Sequence, residues 1–200
     1  VTSVETTGEV VHSSWREVES NARKLAAALA RLGVAQGERC GTIAWNNRRH
    51  LEIYFGVAGA GMICHTINPR LKPEQLIYII NHADDQVLFI DATFVAAVGQ
   101  LKEHLTTLKH IVLMGPRDEA AAKTVPGSLF YDELIAAEGD DYSWPDLDEN
   151  NMFVIVPQGC TKPCLRLRRR HEGPSGPKGT PSGPGRAFLS AWPVGGREGP

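Results

Sequence analysis

Apolar residues recur at steps of three and four from Trp15 through Val18, Ala22, Leu25, Leu29 and Leu32, which places them on one face of a helix. Ser14 precedes this run and Glu17 follows three residues later, the pattern of a capping box. Gly33 supplies the stop. A short β-prone stretch, Glu9 to His12, lies before the helix. After the turn Gly37-Glu38-Arg39, the pattern changes to compact apolar runs. Cys40–Trp45, Met62–Ile67, Val87–Ile90 and Ile111–Met114 read as strands. Helices are predicted between them. One is capped by Asn46 or Asn47 and runs through Leu51, Tyr54, Phe55 and Ala58. Another covers Glu74–His82 with Pro73 in its first turn, a third runs from about Phe94 to Leu105, and a last short one spans Tyr131–Ala137. Strands with so few polar positions are covered on both faces. The expectation is an α/β fold, a mostly parallel sheet flanked by helices.

Composition adds a boundary. Of the 200 residues, 42% are hydrophobic and 22% charged, ordinary for a globular chain, and the net charge is −2. That average hides a split. Val1–Val156 carries 13 Lys+Arg against 21 Asp+Glu, a net of −8, whereas Pro157–Pro200 carries 8 against 2, a net of +6. The second stretch also holds 8 of the 13 prolines and 9 of the 20 glycines. Few apolar residues with so much Pro, Gly and positive charge predict disorder from about Pro157. The domain reading is therefore 1–152 for the α/β part and 153–200 for a Gly/Pro/Arg-rich tail. No apolar run reaches the length of a membrane span, and no secretory signal is visible, so a cytoplasmic location is expected. Four cysteines form no disulfide scaffold; Cys40 and Cys64 sit in apolar runs and read as small buried hydrophobes.

Several motifs invite chemistry. Gly56-Val57-Ala58-Gly59-Ala60-Gly61 has GxxGxG spacing and ends a helix, whereas the dinucleotide fingerprint is GxGxxG opening one; close packing and a helix stop explain it. Asn68-Pro69-Arg70-Leu71 follows a buried strand, where open α/β sheets gather ligands. Arg70 could meet an anion there, or pair with a local carboxylate. His65, inside an apolar strand, reads as a core histidine with its hydrogen bonds satisfied. Asp84-Asp85 reads as a solvated turn, since no further ligands are spaced nearby for a hard cation. Cys160, Cys164 and His171 make only three zinc ligands, loosely spaced. Arg166-Leu167-Arg168-Arg169-Arg170 is basic without interleaved aromatics, so no nucleic-acid role is assigned. Gly173 to Gly179, including Lys178, is not GxxxxGK[ST]; its two prolines remove backbone donors and it lacks the serine–threonine run, which makes a poor phosphate cradle.

The ordered set of residues resembles a known family. Ser14-Trp15-Arg16-Glu17-Val18, Leu32-Gly33-Val34 and Gly37-Glu38-Arg39 are similar to the entry of adenylate-forming ligases. More specific are His50-Leu51-Glu52-Ile53-Tyr54-Phe55, Cys64-His65-Thr66-Ile67-Asn68-Pro69-Arg70-Leu71 and Tyr78-Ile79-Ile80-Asn81-His82-Ala83. Together they resemble the N-terminal part of AMP-forming acyl-CoA synthetases, in the medium- and long-chain fatty acyl-CoA ligase branch, from about Val11 to Met152. The resemblance implies an α/β subdomain of that fold and a two-step reaction. ATP and a carboxylic acid give acyl-AMP, and CoA then takes the acyl group, with Mg²⁺ offsetting the phosphate charge. It also implies a fatty acid substrate and a homodimer contact through this subdomain. Its phosphate loop, a Ser/Thr/Gly-rich stretch ending in Pro-Lys-Gly, is not matched in Val11–Met152. No catalytic, cofactor-binding or metal-ligating residue is therefore carried over, and the chain alone is expected to be inactive. Non-catalytic dimerising module and independent Rossmann-like nucleotide binder are the alternative readings.

Where the loop is due, the sequence departs. Leu165-Arg166-Leu167-Arg168 can be encoded CTA CGC CTC CGG; one base later this reads TAC GCC TCC GG, or Tyr-Ala-Ser-Gly, which resembles the opening of the loop. A frameshift would explain the break, with an isoform or an unrelated fused tail as alternatives.

Overall fold

The computed structural model describes residues 1–148 and 150–156. The readings made on Cys160, Cys164, His171, Arg166–Arg170, Lys178 and its glycine-rich surroundings, and the disorder expected from Pro157, lie outside the described residues.

The elements in chain order are β1 (Thr2–Val4), β2 (Val10–His12), α1 (Trp15–Arg31), β3 (Arg39–Ile43), α2 (Arg48–Gly59), β4 (Ile63–Thr66), α3 (Pro73–Ala83), β5 (Asp85–Asp91), α4 (Val95–Leu101), β6 (His110–Met114), α5 (Glu119–Thr124), β7 (Leu129–Phe130), α6 (Tyr131–Ala136) and β8 (Val154–Ile155). Short 3-10 turns, Ala92–Phe94 and Lys102–His104, flank α4 and split what the pattern predicts as one helix. β1 and β2 pair antiparallel as a separate hairpin. The six other strands form one parallel sheet in the order β7-β6-β5-β3-β4-β8. Its last strand lies beyond the boundary read at residue 152.

The capping box forms as the sequence implies: the Glu17 amide donates to Ser14 Oγ at 3.2 Å, and the Ser14 amide donates to Glu17 Oε2 at 2.6 Å. Period-two alternation in β5 and β6 sorts side chains onto two faces. Val87, Phe89, Val112 and Met114 pack with α1, α2 and α6. Leu88, Ile90, Ile111 and Leu113 pack with α3 and α4. Helices thus cover both faces, as a buried parallel sheet requires.

The glycine run at the end of α2 is explained by packing. A Cβ on Gly56 would lie 2.9 Å from the Ala22 carbonyl oxygen of α1, and one on Gly59 would lie 2.7 Å from the Trp144 ring. Gly61 has φ +80°, a left-handed conformation that glycine adopts at little cost. No phosphate cradle is needed to account for it.

Two polar networks run through this core. Glu52 is fully buried and accepts from Asn21 Nδ2 at 2.9 Å, Arg48 Nη1 at 2.8 Å and Tyr131 Oη at 2.8 Å, tying α2 to α1 and α6. The second corrects the solvated-turn reading of Asp84-Asp85. Asp84 is exposed and ends α3 at φ 59°, but Asp85 is wholly buried, and His65 Nδ1 donates to its Oδ2 at 2.8 Å. His65 lies on β4 and Asp85 on β5, so the bond passes over the central strand β3. It can do so because Gly41, the register partner of His65, has no side chain. A shift in the β3–β5 register leaves Gln86 as an extra residue, which re-aims the start of β5. His65 is thus a satisfied core histidine, and its partner comes from 20 residues away.

Candidate functional site

Strand order decides where a ligand could sit. From β3 the chain moves to β4 on one side; β5, β6 and β7 then lie on the other. The order reverses at β3, and the carboxyl ends of β3 and β5 flank the switch point. Here the crevice is filled by its own polar groups. Asn47 caps α2, accepting from the His50 amide at 3.0 Å, and its Nδ2 donates to Asp91 Oδ2 at 3.4 Å. Asp91 is buried and also accepts from the Thr93 amide at 3.1 Å. Trp45 Nε1 donates to Thr93 Oγ1 at 3.2 Å, and its ring packs on Phe94 with centroids 5.2 Å apart.

An open cleft of about 320 Å³ lies beside it, over the carboxyl ends of β3 and β4. Asn46, His50, Tyr54, Thr66, Asn68 and Val156 are among its walls. His50 and Tyr54 stand one turn apart on α2, with ring centroids 5.2 Å apart. His50 Nε2 shares a hydrogen bond with Thr42 Oγ1 at 3.1 Å, and the ring also bonds the Trp45 backbone. Burial holds its pKa below the usual 6.5, which favours the neutral ring. Burial pushes the Tyr54 phenol up, opposed by a hydrogen bond with Thr66. The cleft therefore offers a neutral imidazole, a phenol and amides. These can hydrogen-bond a polar ligand, but they form no charged acid–base pair and activate no nucleophile.

Of the residues singled out in sequence, Asn68 lines this cleft, and its Oδ1 accepts from the Arg70 amide at 2.9 Å. Arg70 does not line it. Its exposed guanidinium makes no ion pair with the described residues, so the local carboxylate partner considered for it is not found. His50 and Tyr54 were legible only as a His-x-x-x-Tyr spacing within a helix, a pattern that marks a shared face without naming a use. Burial also pushes the Cys64 thiol up to about 12 and the Cys40 thiol well above its usual value, so both sit as inert small hydrophobes. A larger open cleft of about 540 Å³ lies between the first turns of α1 and α2. Arg16, Lys24 and Arg48 face Glu17 and Asp140 there, and Arg48 is further neutralised by Glu52.

ATP, Mg²⁺ and CoA do not find a fit among the described residues. No Ser/Thr/Gly-rich loop ending in Pro-Lys-Gly is present there, and no group of three or more His, Cys, Asp or Glu side chains could hold a metal ion. No described helix is long and apolar enough to cross a membrane.

A parallel sheet of this order with helices on both faces is shared with solved adenylate-forming ligases, which defines the fold class. The structure of the anthranilate CoA ligase AuaEII in complex with anthranoyl-AMP superposes with a TM-score of 0.64 at 24% identity, over 70% of this chain and 26% of that one. The chain belongs to the AMP-binding enzyme family, matched over residues 2–156. It is 57% identical over 150 residues to the 3-methylmercaptopropionyl-CoA ligase of Ruegeria lacuscaerulensis, and 52% identical over 150 residues to the medium-chain-fatty-acid–CoA ligase of Ectopseudomonas oleovorans. Each alignment covers 75% of this chain and 28% of the relative, so the chain spans just over a quarter of their length.

Proposed function

We propose that this chain is the N-terminal scaffold part of an AMP-forming acyl-CoA ligase acting on a fatty acid or a related carboxylic acid, and that it is inactive by itself. The supporting observation is the pairing of high identity with short coverage: 57% identity, confined to 28% of the relative. The whole enzyme would join a carboxylate to ATP with release of pyrophosphate, then pass the acyl group to CoA. The described residues support the sheet on which that site is built and supply neither the phosphate loop nor a metal site. The tail that follows β8, from about residue 157, with its reversed charge and proline load, is proposed to stand apart from the catalytic domain. A shifted reading frame accounts for it; genomic reads with one intact family-unlike frame there would remove that explanation.

The test is ATP–pyrophosphate exchange with octanoate and with 3-methylmercaptopropionate. The 200-residue chain alone should show none above background, while the intact Ruegeria relative serves as positive control. Exchange by the chain alone would overturn the reading. A homodimer through this subdomain belongs to the same proposal, and sedimentation equilibrium measures it.

A further inference from the structure

The cleft of about 540 Å³ at the first turns of α1 and α2 is walled by stretches far apart in the chain: the end of β2, the first half of α1, the start of α2, and Asp140. Arg16, Ser20 and Lys24 recur at steps of four, so α1 presents them as one row along the cleft. Arg48, the first residue of α2, comes in from the other helix. This cleft shares no residue with the one walled by His50 and Tyr54.

Its carboxylates are already engaged. Glu17 Oε2 accepts from the Ser14 amide at 2.6 Å and from Ser14 Oγ at 2.9 Å, and Asp140 Oδ2 accepts from Ser20 Oγ at 2.9 Å. Its cations are not. Among the described residues, the exposed Arg16 and the half-buried Lys24 have no hydrogen-bond or ion-pair partner. Arg48 gives Nη1 to Glu52, but its Nε is buried without an acceptor, in a side chain only 19% exposed. A buried donor left unmet loses its hydration and gains nothing in return. The position of Arg48 adds to the imbalance. It opens α2 beside Arg49, in a first turn that holds no acidic residue, at the positive end of the helix dipole. Arg49 is offset there by Asp132 and Glu5, whereas Arg48 has Glu52 alone. An anion in the cleft would serve all three cations and the dipole together.

The donors select the kind of anion. A carboxylate has two oxygens, enough for one guanidinium fork. A phosphate group has three or four, spread tetrahedrally, and can be shared by two guanidinium groups and an ammonium from two helices. The cleft is also larger than a bare ion needs and falls within the range of small-molecule sites. Ser13 and His12 line the remainder, with His12 Nδ1 already bonded to Thr2 Oγ1 at 3.1 Å.

We propose that this cleft is a binding site for a phosphate group, held by Arg16 and Lys24 of α1 and Arg48 of α2. The proposal is independent of the family reading and needs no Pro-Lys-Gly loop. Inorganic phosphate and the phosphate monoesters glycerol 3-phosphate and AMP are the probes, titrated calorimetrically into the full 200-residue chain at low ionic strength, with acetate as the carboxylate control. Binding with Kd below about 1 mM is expected for at least one phosphate probe, and none for acetate. Monoesters that bind more tightly than inorganic phosphate assign the site to an organic phosphate; equal affinities assign it to the free ion. The double variant Arg16→Gln/Lys24→Gln should weaken binding at least tenfold while leaving the melting temperature of the unliganded chain unchanged. Arg48→Lys, which keeps the charge but loses the fork, should weaken it as well. Lys109→Gln, a lysine outside the cleft, should not. The binding probe should raise the melting temperature above that in sodium chloride of equal ionic strength. The proposal is overturned if no phosphate probe binds, if the double variant retains full affinity, if acetate binds equally well, or if chloride raises the melting temperature as much.

Discussion

At the scale of single residues, Gly41 carries an effect out of proportion to its size. An added Cβ would lie 3.0 Å from both Asp85 Oδ2 and Leu88 Cδ1, in the path of the His65–Asp85 bond. Gly41→Ala should destabilise the chain by about 2 kcal/mol, read as a lower urea midpoint, because it overpacks the core and strains the buried His65–Asp85 hydrogen bond. Glu52 gathers three donors in a fully buried position, so Glu52→Ala should cost about 3 kcal/mol by leaving the buried Tyr131 hydroxyl and the part-buried Arg48 without their acceptor. Titration separates the buried groups. His50 has its pKa lowered by burial, so the unfolded chain binds the proton more readily, and stability should fall as pH drops below 6.5. Asp85 is raised from 3.8, chiefly by burial and against the pull of His65, so its contribution has the opposite sign and is lost as pH rises through its folded value. Melting temperatures between pH 7 and 5.5 measure the His50 contribution as the part of the slope that His50→Gln removes. The Asp85 reading shows what was illegible: a pair of aspartates in sequence looks like a turn. Only the strand that follows, and a histidine arriving from another strand, turn one of them inward.

At the scale of elements, the strongest local signals formed as the pattern predicts. Ser14 and Glu17 close their capping box, and Ser14→Ala should lower stability by about 1 kcal/mol, measured by chemical denaturation. Asn47, rather than Asn46, caps α2, and Pro73 opens α3. The central strands β3 to β6 were visible because continuous apolar runs announce burial on two faces. The elements absent from that reading are β1, α5, β7 and β8, all of six residues or fewer. A two-residue strand has no periodicity to detect; its existence rests on a neighbour to pair with. The stretch predicted as one helix near Phe94 to Leu105 is instead α4 between two 3-10 turns, with Asp91 capping the first of them.

At the scale of the whole molecule, the family and the fold agree. A six-stranded parallel sheet is covered on both faces, and the match to AMP-binding enzymes extends over residues 2–156. Among the described residues the sheet ends on β7, where Arg117 covers Phe130, and on β8. Removing the Arg117 cover with Arg117→Ala should expose Phe130 and raise aggregation on heating, measured by light scattering, while leaving the β8 edge untouched.

What the sequence by itself determined was the helix–strand alternation, the break in charge and composition near residue 157, and the ordered motifs that carry the family resemblance. These are local properties, written in spacing and residue type. The tertiary structure alone decided which strands are neighbours, that Asp85 is buried against His65 across Gly41, and that His50 and Tyr54 wall a cleft at the β3 and β4 carboxyl ends. Each of these depends on residues far apart along the chain being brought together by the sheet, and contact at that distance leaves no mark in any short window of sequence.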